Sequence, residues 1–278
     1  MRKHVSLLFL CVLLQLCGRA QDSISFNMHY LPMHQYDMAI VQQSGFSTTY
    51  SGSDSVLAFL KDRGISNPTI VNHEINGTAV TTTGAYDKSG KMPVQLLYQK
   101  LTAANGDILI PAGSGLLGTI QKDKMPVFDS VIVSDQNDIK TKNILMKVKD
   151  LVSQIHLPAA RMKPGDEYVY TTPVSIPVAN TIMKMVMSIT YKLTNVTDSM
   201  AGFDLTMKIN FDMQTDSVTS KSRGSGSGGG IMIYDRINSF PIKEDLHYSM
   251  EMLVENKGIN VKVEATSKSA HNYTIKKI

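Results

Sequence analysis

From residue 181 to residue 213 the chain alternates apolar and polar positions with period two. In "TIMKMVMSITYKLT", Met183, Met185, Met187, Ile189, Tyr191 and Leu193 share one parity, while Lys184, Ser188, Thr190 and Lys192 take the other. "FDLTMKINFDM" repeats the pattern, with Phe203, Leu205, Met207, Ile209 and Phe211 against Asp204, Thr206, Lys208 and Asn210. Period two is the signature of a strand, and the short polar link "NVTDSMAG" predicts that the two strands pair as a long antiparallel hairpin. Further on, Leu246, Tyr248, Met250 and Met252 alternate with His247, Ser249 and Glu251; "ENKG" reads as a turn. Ile259, Val261, Val263 and Ala265 then alternate with polar residues, and a separate last strand is expected over His271 to Lys277. One-sided alternation is what an antiparallel sheet shows when one face is packed and the other is solvated. The second half is predicted to be a meander with one apolar face.

The first half carries the same signal with more interruptions. "HQYDMAIVQ" alternates, Asn76-Gly77 predicts a two-residue type I′ turn, and "GDILIPAGSGLLGTI" reads as short strands broken by Pro111. Two helices are expected. One runs from Asp54 to Arg63, with Ser53 or Asp54 as N-cap and Gly64 as stop. The other runs from Ile144 to Leu157, where Leu145, Val148, Leu151, Val152 and Ile155 make one apolar stripe before Pro158. A helix with one apolar stripe must cover something, and the concave face of the sheet is its natural partner. The pattern therefore predicts a mainly β protein: a large curved antiparallel sheet or incomplete β-barrel with one or two short covering helices. Residues 21–278 read as a single β-rich domain, divisible into similar halves (21–142 and 158–278) joined by the helix at 144–157. "YDKSGKMPV", "KDKMPV" and "YDRINSFPI" suggest one reused element: a strand, a charged turn, and a strand entered through proline.

"SKSRGSGSGGGIMIYD", Ser220 to Asp235, holds five glycines within seven residues. A phosphate-cradling loop needs a helix after its glycines, so that N–H groups face the anion; here the apolar run "IMIYD" follows and reads as strand. A linker is disfavoured by similar strands on both sides. The glycines are expected to form a sharp hairpin or a strongly bent strand, shaping a wall of the sheet.

The N-terminus changes the picture of where the protein works. "MRKH", the apolar run "VSLLFLCVLLQLC" and "GRA" have the order of a secretory signal peptide, placing mature residue one at Gln21. The run from Val5 to Cys17 is short of the roughly 20 residues that span a bilayer. Both cysteines, Cys11 and Cys17, fall in this leader, so cleavage leaves no disulfide, cysteine metal site or thiol nucleophile. Losing Arg2, Lys3 and Arg19 lowers the 28 basic residues to 25 against 24 acidic ones, so the charge argues for neither nucleic acid nor an anionic membrane as partner.

Candidate chemistry is sparse. Thioethers are soft ligands for Cu(I), but the methionines of "MKMVM" run in register into Ile189, Tyr191 and Leu193 and belong to a packed face. Methionine-rich apolar faces repack readily and are common where binding is promiscuous. His29, His34, His73, His156, His247 and His271 show no paired ligand spacing, no Gly-x-Ser-x-Gly elbow occurs, and the acid pair of "PGDEY" reads as a turn. No cofactor, metal or catalytic constellation is expected.

The leader, the middle "LPAARMKPGDEYVY", the amphipathic hairpin and the late "GSGSGGGIMIYDRINSFP" resemble uncharacterised secreted envelope proteins of Gram-negative bacteria, loosely similar to the LolA- and LolB-like lipoprotein-localisation carriers. That resemblance implies a half-barrel with helices across an apolar cavity. No arginine stands as those carriers' functional one does, so lipoprotein transfer is not implied. The function expected is that of a non-enzymatic exported protein, periplasmic or associated with the outer membrane, holding a lipid or acylated molecule. Its candidate ligand-binding face is Met183, Met185, Met187, Phe203, Leu205, Met207, Phe211, Met250 and Met252. The alternative is a structural or interaction module whose partners are other envelope proteins and whose apolar face is its own core. A hydrolase is disfavoured by the missing constellation.

Overall fold

The computed structural model describes residues 23–278 except 123, 155–157, 179–180, 215–219 and 257, and describes the backbone alone within 176–183, 212–221 and 256. The predicted leader lies outside the described residues. In chain order the first half contains β1 (Ile24–Asn27), β2 (His34–Gly52), α1 (Asp54–Asp62), β3 (Thr69–Thr83), β4 (Lys91–Ala103), β5 (Ile108–Ile110), β6 (Gly115–Gln121) and β7 (Val127–Ile132). After α2 (Ile139–Val152) follow β8 (Ala159–Met162), β9 (Glu167–Val178), β10 (Thr181–Val196), β11 (Met200–Gln214), β12 (Ser220–Asp235), β13 (Phe240–Asn256) and β14 (Ile259–Lys277).

Twelve of these strands build one antiparallel sheet, ordered β7-β6-β4-β3-β2-β14-β13-β12-β11-β10-β9, with β5 paired to β4 beside that path. The first long strand pairs with the last, from His34 opposite Lys277 to Gly52 opposite Ile259, so one sheet runs through both halves of the chain. The path ends at β7 and β9, which do not pair with each other, and the barrel is incomplete. The expected hairpin is present, with Met185 opposite Phe211 and Tyr191 opposite Leu205.

An open sheet leaves edge N–H and C=O groups unpaired, which is a hazard unless something covers them. Here α2 spans the seam, packing against β6 and β7 on one side and β9 on the other. Just past its end, the Gln154 side-chain amide imitates a strand. Its Nε2 donates to the Ser175 carbonyl at 3.3 Å, and its Oε1 accepts from the Ser175 N–H at 2.7 Å. Helix α2 begins five residues earlier than its apolar stripe suggests, because Asp138 caps it by accepting from the Thr141 N–H at 2.9 Å. The predicted residues Ile155, His156 and Leu157 lie outside the described residues. Leu145 is fully buried among Ala79, Tyr98, Ile110 and Leu116, so α2 fills the concave face of the first half.

Two further expectations need correction. Asn76-Gly77 makes no turn: both residues sit inside β3, opposite Val41 and Ile40 of β2. A Cβ on Gly77 would lie 2.5 Å from the Lys100 carbonyl, so glycine is used there for close strand approach beside a bulge at Thr78/Ala79. The separate strand at His271–Lys277 does not exist, because Ile259 to Lys277 is one strand. The reused element is present where all of its residues are described: Asp87 and Asp235 each accept backbone N–H bonds within a turn, and Pro93 and Pro241 lie at the start of the next strand.

The glycine-rich stretch is neither loop nor hairpin turn but β12, paired on both sides. Gly224, Gly226, Gly228 and Gly230 lie opposite Phe211, Ile209, Met207 and Leu205 on one flank, and opposite Met252, Met250, Tyr248 and Leu246 on the other. A Cβ at Gly228 would stand 2.2 Å from the His247 carbonyl, and one at Gly224 would overlap the Phe211 ring. A stripe without side chains lets the sheet curl tightly while the large residues of both neighbours lean over it.

Candidate functional site

Register fixes which side chains share the concave face. Successive neighbours across the sheet run Met185, Phe211, Gly224, Met252, Val263 in one row and Met187, Ile209, Gly226, Met250, Ala265 in the next. Met207, Ile209 and Phe211 are buried, and Met185, Met187, Ile189, Tyr248, Met250 and Met252 pack around them half-buried. The structure thus brings six of the nine predicted face residues into one cluster: Met185, Met187, Met207, Phe211, Met250 and Met252. The side chain of Met183 lies outside the described residues.

Phe203 and Leu205 belong elsewhere. They are covered by a two-stranded ribbon that the sequence did not reveal, β1 paired with β8 so that Ile24 faces Met162 and Phe26 faces Ala160. Phe26 inserts among Tyr168, Tyr191, Phe203 and Tyr234 with ring centroids 4.5 to 6.5 Å apart. This end of the concave face is therefore packed core. Away from the ribbon, toward Met185 and Met252, the same face remains partly open. Phe46, on the concave side opposite Ala265, is 40% exposed, and Val71 beside it 41%. Helix α1, the other predicted cover, buries no residue and follows β2 at that open end.

A polar interruption lies at the covered end, in the row that also holds Phe203 and Met232. The inward row through Met232 and Ile40 carries Glu244 and His271, whose Oε2 and Nδ1 stand 3.7 Å apart. Both side chains are largely shielded, at 21% and 28% exposure. Burial first, and then the charge of Glu244, raises the phenol pKa values of Tyr191 and Tyr273 above their ordinary range. Tyr30 is raised too, by burial, by Tyr36 and by Glu244, and burial pushes Tyr36 up to about 12. These phenols stay neutral. A cavity of about 860 Å³ crosses β12, β13, β14, β2 and β3, and most of its lining residues, among them Gln43, Ser227, His247, Ser249 and Lys268, take outward positions. The sequence reading nominated neither Glu244 nor Tyr248. Their even positions match Leu246, Met250 and Met252, and that parity was the available signal.

No family model matches the chain, and no curated protein matches it. Among solved structures, the chain is similar to the attachment invasion locus protein Ail of Yersinia pestis at 5% identity, covering 84% of this chain and 97% of that one with a TM-score of 0.14. A Bacteroides fragilis protein described as exported, with a YmcC-like fold, overlaps at 12% identity over 91% of this chain and 100% of its own, TM-score 0.25. OpdQ of Pseudomonas aeruginosa overlaps at 6% identity over 87% and 98%, TM-score 0.26. Superpositions this shallow transfer neither a fold nor a function.

Proposed function

We propose that the protein is a non-enzymatic, exported protein of the cell envelope, periplasmic or outer-membrane associated, that holds a lipid or acylated molecule in the open end of its half-barrel. The observation that carries this reading is the methionine cluster of Met185, Met187, Met250 and Met252. It is half-buried on a concave face that the ribbon and α2 cover elsewhere. Ligand pockets are concave and mostly apolar, and methionine adapts to chains of varied shape. The leader-like N-terminus supports export. The half-barrel with helical cover is also what the resemblance to lipoprotein-localisation carriers implies.

The covered end favours the second reading, a structural module of the envelope. Phe203 at 1% and Leu205 at 6% exposure are already satisfied by the chain's own ribbon. One measurement separates the two. Delipidated protein is titrated with a pyrene-tailed fatty alcohol, and saturable binding is expected, competed by unlabelled long-chain alcohol. Met250→Glu should weaken it at least roughly tenfold by placing a charge in an apolar wall. Absence of saturable binding at micromolar protein would leave the structural module.

A further inference from the structure

Glu244 is the part of the trough that an all-apolar ligand does not explain. A shielded carboxylate is costly unless paired or well hydrogen-bonded, and among the described residues its one ion-pair contact is the His271 ring. At 3.7 Å that nitrogen is beyond hydrogen-bond distance, and it is charged only when protonated. The outward carboxylates are served better: Glu251 and Glu264 share Lys262 at 3.0 Å each, and Asp37 holds Lys276 at 2.5 Å. Asp235, the other shielded carboxylate of β9 to β14 among the described residues, accepts from the Ile237 and Asn238 N–H groups and from the Asn238 side-chain amide.

We propose that Glu244 anchors the head group of the bound molecule, and that the ligand class is an amphiphile carrying a protonated amine. The proposal rests on the reading that the trough holds an apolar chain. From Glu244 the inward residues of β13 are Leu246, Tyr248, Met250 and Met252, an apolar track of roughly 26 Å at about 3.3 Å per residue. A chain laid on it has its head at the carboxylate and its tail in the open methionine end. Tyr191 and Tyr273 both lie within reach of the Glu244 charge. Their phenols stay protonated, so they add hydrogen-bonding groups without a competing charge. An ammonium head completes the carboxylate's pairing, a neutral hydroxyl does so weakly, and a fatty carboxylate meets like charge.

The test displaces the pyrene-tailed alcohol with hexadecylamine, hexadecanol or palmitate, each kept below its aggregation concentration, from wild-type protein and from Glu244→Gln. The amine is expected to displace at roughly tenfold lower concentration than the alcohol, the scale of a charged over a neutral hydrogen bond, and palmitate at the highest. Glu244→Gln should erase the amine's advantage over hexadecanol. Should that variant misfold, raising the salt on the wild type should weaken the amine selectively. Equal displacement by all three heads, or an amine preference that survives both Glu244→Gln and salt, would overturn the anchor while leaving the apolar trough intact. Failure of the pyrene probe itself to bind would overturn both.

Discussion

At the residue scale the alternate glycines of β12 show how sequence and shape are linked. Had Gly228 any side chain, its Cβ would stand 2.6 Å from the Tyr248 Cβ as well as against the His247 carbonyl, so β12 and β13 would have to separate or flatten. Ser227, one residue away, is exposed on the opposite face. Gly228→Ala should therefore destabilise by about 1–3 kcal/mol, the usual cost of overpacking, whereas Ser227→Ala should stay within about 0.5 kcal/mol. Urea melts compare them directly, and equal midpoints would show that the glycines are not there to let the sheet curl. Reading the sequence identified glycines that shape a wall. Which residues lean over them depends on partners on two other strands, and no local pattern records that.

At the scale of elements, period-two alternation located the long strands because burial on one face leaves its mark at every second residue. It failed where local preference met long-range pairing. Asn76-Gly77 has the chemistry of a turn, yet pairing with β2 on one side and β4 on the other holds it in line. β1 and β8 are four residues each and too short to carry a period, and they become a ribbon only when Ile24, Phe26 and Met162 find the aromatic floor beneath them. Two site residues were lost to this ribbon for that reason. Helix α2 was legible, but its start was set by a cap and not by its stripe. Hydrogen bonds from the Thr141 hydroxyl, then from the Thr141 N–H, hold the Asp138 carboxyl below its ordinary range. A depressed folded-state pKa means that the cap stabilises fully above the unfolded value of about 3.9 and is lost as pH falls through the lower, folded one. An NMR titration should show the Thr141 amide moving in step with Asp138, at a midpoint below about 3.9, with Asp138→Asn abolishing the step. A midpoint at or above the ordinary value would remove the cap from the account of α2.

At the scale of the whole molecule, the two faces of the sheet decide what kind of barrel this is. A membrane-spanning β-barrel turns an apolar band outward and a polar lumen inward. Here the register does the reverse. Met185, Met187, Met207, Ile209 and Phe211 point in, while Lys184, Lys192, Asp204 and Lys208 point out. Across the next strands the outward side carries Glu251, Lys262, Glu264 and Lys268, with Lys262 bridging both glutamates. Lysine at the bilayer midplane costs about 2–4 kcal/mol per side chain in such barrels, and this face has several. A one-residue register slip would exchange the faces, but eleven strand pairings tie the twelve strands together, and β2 and β14 hold the register over nineteen residue pairs. The leaderless chain should therefore partition into the aqueous phase when a non-ionic detergent is warmed to its cloud point. It should also give one urea transition that added detergent does not abolish. Recovery in the detergent phase, with folded protein obtained only in micelles, would mean that the charged face is not the solvated one, and the apolar trough would then have to be reread as a lumen.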